Sequence, residues 1–527
     1  YEPRDQEYHC IHSIYVSTQG GRAMGLYDFT IYDVINRNAM CFGKKLAWLE
    51  VSDGREVTFD QLKDKVDHLA KGLQKAGLKK GDRIGVMGKN SLEYFLLFGA
   101  ASALGLIVLP VNWRLSAAEV GNNLADGGPR LVFADQEYQE LIDGLKDKLT
   151  SVERYYNLSG GAIFQDLNEL LANSAGFTPV EVATDDGVVI IHTAAVEGKP
   201  RGALLSHGNI LAASTQFSSV FKMTKEDVHL NLLPLFHVGG LFIAMTAFYA
   251  GALNINVNKF DGEEAVNLIE EKKVTMLFDF APILATILDN QEKSGKDISS
   301  LRVVAGLDSP ATIERYQKAT GGEFFVVYGQ TEVSALTNIS PYNERPGSAG
   351  RPLPLANVQL VDDYDREVET GAVGEIVVRG PMVFKGYWNL PKETGYTFRE
   401  GWHHTGDQGR FDEDGFLWYA GRKAEKELIK PGGENVYPAE VEKVILQHPA
   451  VERTVVFGVP DPKWKEGIKA VCLLKEGQKL EPQELIDFVG ARIARFKKPQ
   501  YVEFVEELPL LENGSPDRAK VKELYGQ

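Results

Sequence analysis

The sequence predicts an α/β protein with a large N-terminal domain of mainly parallel sheets and a β-rich subdomain, followed by a small α+β domain. Three observations lead there. A chain of 527 residues exceeds what one compact core usually organises. Up to about residue 340, helical periodicity alternates with short apolar runs, the pattern of strands joined by crossover helices. From about 345 to 420 the helical pattern gives way to short strands separated by Gly and Asp turns. The boundaries are set at 1–422, with the β-rich subdomain at about 345–420, and 423–527.

The elements follow in order. Thr58-Phe59-Asp60-Gln61 has the form of a capping box. Leu62, Val66, Leu69, Leu73 and Ala76 then recur on one helical face, and Gly77 and Gly81 end it. Ile84-Gly85-Val86-Met87 and Leu131-Val132-Phe133 are short apolar runs suited to buried strands. The apolar segment from Phe95 to Val111 contains Gly99, Ser102, Gly105 and Pro110 and is short for a membrane span, so it reads as a buried helix running into a strand. Val358–Val361, Glu375–Arg379 and Phe416–Tyr419 supply strands of the subdomain. Arg422 to Lys430 is highly charged and reads as a linker. Beyond it Glu440-Val441-Glu442 opens a helix, and Thr454–Val459 and Ala470–Leu474 read as strands.

Composition excludes several classes. A net charge of −16 argues against a general binder of nucleic acid or anionic membrane. Cys10, Cys41 and Cys472 are scattered, so neither a disulfide framework nor a zinc site is expected, and a reducing, cytoplasmic setting is. The N-terminus has no signal-peptide pattern.

Several motifs carry chemistry. Tyr328-Gly329-Gln330-Thr331-Glu332 follows an apolar strand, and a loop at the C-terminal end of a strand is where ligands sit in open α/β sheets. His404-Thr405-Gly406-Asp407, Tyr419-Ala420-Gly421-Arg422 and Gly432-Gly433-Glu434-Asn435 follow in that order. Upstream stand Pro234-Leu235-Phe236-His237-Val238-Gly239-Gly240 and Gly198-Lys199-Pro200-Arg201-Gly202. In order and spacing these segments resemble the signature of the adenylate-forming superfamily: AMP-forming acyl-CoA synthetases, peptide-synthetase adenylation domains and luciferases. The motifs span residues from about 190 to 518.

The resemblance implies an enzyme that activates a carboxylic acid with ATP and Mg²⁺ through an acyl-adenylate, then forms the CoA thioester. Tyr328 and Gly329 would lie against adenine, with Gly306 of Ala305-Gly306-Leu307 beneath it. The Thr331 hydroxyl would bond the α-phosphate and Glu332 would hold Mg²⁺. Asp407 would accept from ribose hydroxyls, with Arg422 near ribose and phosphate. His237 would orient the substrate carboxylate. Gly198, Lys199 and Arg201 would face the phosphates. Gly432 and Gly433 would let pantetheine approach. The C-terminal domain would be mobile, rotating near Ala424 to swap its adenylating and thioester-forming faces. The acyl site would lie beside Phe236–Leu241 and Phe278–Ala281, and its apolar lining suits a fatty, alicyclic or aromatic acid.

Two segments depart from the pattern. The phosphate loop carries Ala195, Val196 and Glu197 where the family has a glycine and two hydroxyls. Near the C-terminus, Leu508–Arg518 carries Ser515 where the family has the adenylation lysine. Losing such a cation costs roughly 3–4 kcal/mol, or about 10²–10³ in rate. Either Ser515 marks a lost adenylation cation, or a nearby lysine, Lys520 or Lys522, takes over; the substitute is the favoured reading, with Lys520 as its candidate. Two alternatives stand beside the forward ligase: the same enzyme run in reverse to make ATP, and a non-catalytic acyl-CoA or nucleotide sensor. No nucleic-acid partner or integral membrane segment is expected, and homodimerisation stays open.

Overall fold

The computed structural model describes residues 25–172, 176–196, 199–362, 364–422, 429–434, 436–510 and 516–526. The expected capping box forms. Thr58 Oγ1 accepts from Gln61 N at 3.3 Å, and Gln61 Oε1 accepts from Thr58 N at 3.0 Å, opening the helix Phe59–Lys75. Leu62, Val66, Leu69, Leu73 and Ala76 are all buried, so the predicted apolar face meets the core. The Phe95–Val111 segment splits into the helix Leu92–Leu104, buried on every side, and the strand Ile107–Pro110. Gly105 joins them at φ +64°, a conformation a β-carbon disfavours. Among the described residues, no helix is long and apolar enough to cross a membrane.

Two large sheets form the body of the chain. One runs Arg351–Pro352, Asn338–Pro341, Glu323–Tyr328, Val303–Leu307, Met276–Phe280, Val228–Asn231, Leu253–Asn256, Leu46–Glu50, Arg55–Thr58, with its central strands parallel and its outer pairs antiparallel. The other runs Gly386–Tyr387, Lys199–Ser206, Gly187–Val196, Ile107–Pro110, Arg83–Met87, Leu131–Ala134, Arg154–Asn157. It is parallel from Gly187–Val196 onward. The apolar helices Leu92–Leu104 and Val238–Ala250 lie in the core these sheets share, which is why neither shows an exposed face. Parallel strands covered on both faces read as continuous apolar runs, as the sequence does.

The β-rich stretch is a third, antiparallel sheet of Asn357–Val361, Gly374–Arg379, Trp402–Phe411, Phe398–Arg399 and Leu417–Arg422. Here one expectation shifts. Arg422 does not begin a linker but ends a strand, because it pairs in register with Asp407. The hinge position Ala424 lies outside the described residues.

The C-terminal residues build their own core around Val451–Asp461, Lys465–Leu474 and Tyr501–Val505. Strand alternation divides it. Val456, Ile468, Ala470 and Cys472 face the helices Pro438–Ile445 and Pro482–Gly490. Val455, Phe457 and Val471 face the helix Arg518–Tyr525 through Val521. Contact with the rest of the chain includes several ion pairs. Lys497 Nζ lies 2.6 Å from Glu119 Oε1 and 2.7 Å from Glu440 Oε2, Arg114 pairs with Glu434, and Lys465 Nζ lies 3.4 Å from Asp308 Oδ1.

Candidate active site

Three adjacent parallel strands, Met276–Phe280, Val303–Leu307 and Glu323–Tyr328, end at one crevice, the place where open α/β sheets bind ligands. Their last residues, Phe280, Leu307 and Tyr328, line a cavity of about 370 Å³. The turn after Tyr328 is tight. A β-carbon on Gly329 would stand 2.0 Å from the Ala335 carbonyl oxygen, so only glycine fits. That turn delivers Thr331 and Glu332, in a short 3₁₀ helix, to the cavity wall.

Asp407 is buried beside it. Tyr328 Oη donates to Asp407 Oδ2 at 2.9 Å, and Arg422 Nε lies 2.6 Å from Oδ1. Burial first, and the Asp407 charge second, push the Tyr328 phenol well above its ordinary range, so it acts as a donor. Burial, the largest single effect, opposes the Arg422 charge, but Asp407 together with Tyr437, Tyr419 and Tyr328 outweighs it and raises the guanidinium pKa.

Glu332 Oε1 accepts from Tyr387 Oη at 2.8 Å, and its backbone carbonyl accepts from Phe384 N at 2.9 Å. Arg201 lies with its guanidinium carbon 5.0 Å from the Tyr387 ring centroid. A carboxylate and a guanidinium thus flank one tyrosine at the polar end of the cavity. Among the described residues no cluster of three or more metal-ligating side chains occurs. A single carboxylate still fits a cation that shares its ligands with substrate phosphates.

His237 caps the N-terminus of Val238–Ala250, its Nδ1 accepting from Gly239 N at 3.1 Å. Burial holds its pKa below the ordinary imidazole range. The ring is therefore neutral, with its proton on Nε2 and free to be donated. Val238, Phe278, Phe280, Leu307 and Leu336 give this end of the cavity an apolar wall.

The C-terminal unit closes the mouth with Lys430, Gly432, Tyr437, Trp464 and Lys465. Gly432 sits at φ +58°, where a β-carbon would come within 2.8 Å of the Trp464 ring.

Of the residues singled out in the sequence, Arg201, His237, Tyr328, Gly329, Thr331, Glu332, Arg422 and Gly432 line this cavity, and Asp407 stands behind Tyr328 and Arg422. Gly433 shares the turn with Gly432. Lys199 begins a strand that leads to Arg201. Gly198, Glu197 and Ser515 lie outside the described residues. Two of the residues singled out stand away from this cavity in this structure. Gly306 does not face the cavity: a β-carbon there would stand 1.9 Å from the Asp279 carbonyl oxygen, so it serves strand packing while Leu307 takes the wall. Lys520 is exposed and absent from the cavity, because its helix is fixed to one sheet face by Val521 and by Arg518, whose Nη1 lies 2.6 Å from Glu442 Oε1. The cations from the C-terminal unit at the mouth are instead Lys430 and Lys465. Neither they nor Tyr387 was anticipated. Lys430 stands two residues before Gly432, so its neighbourhood to that motif was a usable signal.

Comparison with known proteins agrees with this geometry. The AMP-binding enzyme family matches residues 35–388, and the AMP-binding enzyme C-terminal domain matches residues 440–515. The indoleacetate–CoA ligase of Aromatoleum aromaticum is 32% identical over 90% of this chain and 94% of its own. The mitochondrial medium-chain acyl-CoA ligase of Mus musculus is 31% identical over 97% and 89%. Among solved structures, the o-succinylbenzoate CoA synthetase of Bacillus subtilis superposes with a TM-score of 0.82 at 27% identity, covering 94% of this chain and 98% of that one. The fatty acyl CoA synthetase of Mycobacterium tuberculosis gives 0.72 at 30% identity, covering 94% and 98%. The chain belongs to the AMP-binding enzyme family, the adenylate-forming enzymes that include AMP-forming acyl-CoA synthetases.

Proposed function

We propose that this AMP-forming acyl-CoA ligase activates an apolar carboxylic acid, aromatic or fatty, and that the residues at the 370 Å³ cavity perform both half-reactions. The observation carrying this is convergence. Tyr328, Thr331, Glu332, His237 and Arg422 from the large part meet Lys430 and Gly432 of the C-terminal unit around one space, apolar at one end and polar at the other. We set the boundary between the two domains after Arg422, and the end of a strand there supports this reading.

In the first half-reaction a carboxylate oxygen attacks the α-phosphorus of ATP in line, and pyrophosphate leaves. His237 Nε2–H orients the carboxylate. Thr331 donates to the α-phosphate, while Arg201 faces the charge that develops on the leaving group. Asp407 accepts from the ribose, with Arg422 fixing its orientation. Magnesium, held through Glu332, would supply charge neutralisation on the phosphates. In the second half-reaction the CoA thiol attacks the acyl carbonyl and AMP leaves. The glycine turn at Gly432 keeps side chains out of the pantetheine path.

A panel of aromatic, alicyclic and fatty acids supplied with ATP, Mg²⁺ and CoA tests this reading, with AMP and acyl-CoA measured by mass spectrometry. AMP and thioester should appear together for apolar acids. No AMP with any acid, alongside normal AMP binding, would favour a sensor.

A further inference from the structure

A second cavity, of about 280 Å³, runs between the large part and the C-terminal unit and shares Thr193, His237 and Thr331 with the first. The two cavities therefore adjoin at these three residues. His192, on the strand Gly187–Val196, lines it. Its side chain is only 4% exposed, and its Nε2 lies 2.8 Å from Oδ2 of Asp126, on the helix Ala117–Gly127. The Asp126 carbonyl is in turn held by Trp388 Nε1 at 3.2 Å and Asn389 Nδ2 at 3.1 Å. The other ring nitrogen, Nδ1, is buried and has no hydrogen-bond partner.

A carboxylate at Nε2 fixes the tautomer. The proton sits on Nε2, and the lone pair on Nδ1 is free. Leaving a buried acceptor unmade costs about 1–3 kcal/mol, so an orphan here calls for a use. Gly202, paired with His192 in the adjacent strand, leaves the ring its room: a β-carbon there would stand 3.2 Å from Nε2. The charged groups lining the cavity are Glu119, Glu434, Glu440, Lys443, Arg492 and Lys497. They balance in sign, so Asp126 is the charge in direct contact with the imidazole.

We propose that His192 is the base that takes the thiol proton of CoA in the second half-reaction, with Asp126 as its positioning residue. The inference rests on the acyl-CoA ligase reading. A free thiol has a pKa near 8.5, so little thiolate exists at neutral pH and a base has something to add. The S–H proton passes to Nδ1. The sulfur pair forms the C–S bond to the acyl carbonyl carbon, the C–O bond to the adenylate phosphate breaks, and AMP leaves with that electron pair. The imidazolium then releases its proton to solvent.

The test is single-turnover transfer from enzyme-bound acyl-AMP to CoA or to hydroxylamine, a neutral nucleophile, across pH 6 to 9. It compares wild type with His192→Gln, whose amide can still reach Asp126. CoA transfer should fall about 10²-fold or more relative to hydroxamate formation. Its rate should then climb with pH as free thiolate rises, without the plateau an imidazole base gives. If His192→Gln does not fold, Asp126→Asn provides the same readouts with a disoriented imidazole and should lower the same ratio. An unchanged ratio and pH profile overturns the proposal. So does a raised KM for CoA at unchanged kcat, which would make Nδ1 an acceptor for a pantetheine amide. Wild type that makes hydroxamate but no thioester overturns the ligase reading itself.

Discussion

Asp407 and Arg422 face each other twice: as register partners on neighbouring strands, and through Arg422 Nε, 2.6 Å from Asp407 Oδ1. Neither is well exposed to solvent, and Tyr328 Oη occupies the second carboxylate oxygen. A ribose that bonds Asp407 must therefore enter a network already charged and oriented. That is preorganisation: the acceptor is held before the nucleotide arrives.

Asp407→Ala should weaken AMP binding by roughly 1.5–3 kcal/mol, the range for hydrogen bonds to a charged group. It also leaves Arg422 without its counter-charge, so the nucleotide-free protein should lose thermal stability. Calorimetry of a folded variant with wild-type AMP affinity would refute the ribose assignment.

Glu332→Gln should keep the fold, since a Gln carbonyl can still accept from Tyr387 Oη. A neutral amide is a poorer magnesium ligand. The variant should therefore need far more Mg²⁺ for acyl-AMP formation. A wild-type magnesium dependence of the adenylation rate would sink the assignment.

What the sequence made legible is local. Capping at Thr58, the apolar faces and the strand-end motif at Tyr328 each depend on neighbours a few residues apart, and each appears where expected. The parts that stayed hidden depend on packing between distant segments. Tyr387 reaches Glu332 from a short edge strand, and Asp126 reaches His192 from a separate helix. Lys520 lies away from the cavity in this orientation, and sequence proximity to Ser515 could not show it, because it says nothing about which sheet face a helix covers. Strand alternation puts Val521 opposite the face that Pro438–Ile445 packs on.

His207 gives a pH prediction. It is fully buried, its Nδ1 accepts from Ile31 N at 3.3 Å, and burial lowers its pKa to about 4. The folded value lies below the unfolded one, so between these two values the unfolded chain binds more protons and folding weakens as pH falls. From pH 7 to 5 this residue should cost roughly 2 kcal/mol. Other buried groups shift the total, so the comparison is a difference. The drop in urea-unfolding stability over that interval should be smaller by about that amount in His207→Asn. An equal drop in both proteins would show that His207 protonates freely in the fold.

The last prediction concerns which face the C-terminal unit presents. In this orientation Gly432 and Lys430 meet the cavity, and Lys520 does not. On the proposed reading this is the thioester-forming face, and adenylation would use another. The orientation is held by Lys497, buried between Glu119 of the large part and Glu440 of its own unit. Lys497→Met leaves two carboxylates facing each other without their cation, which should destabilise this arrangement relative to one in which they separate. If rotation brings Lys520 to the α-phosphate, Lys497→Met should speed acyl-AMP formation relative to thioester formation, and adding Lys520→Ala should remove the gain, costing about 10²-fold in adenylation. Pre-steady-state rates of the two half-reactions decide this. If Lys497→Met leaves their ratio unchanged, the triad does not govern orientation. If Lys520→Ala is silent in both backgrounds, the adenylating cation comes from elsewhere, and Lys430→Ala becomes the variant whose adenylation rate should fall.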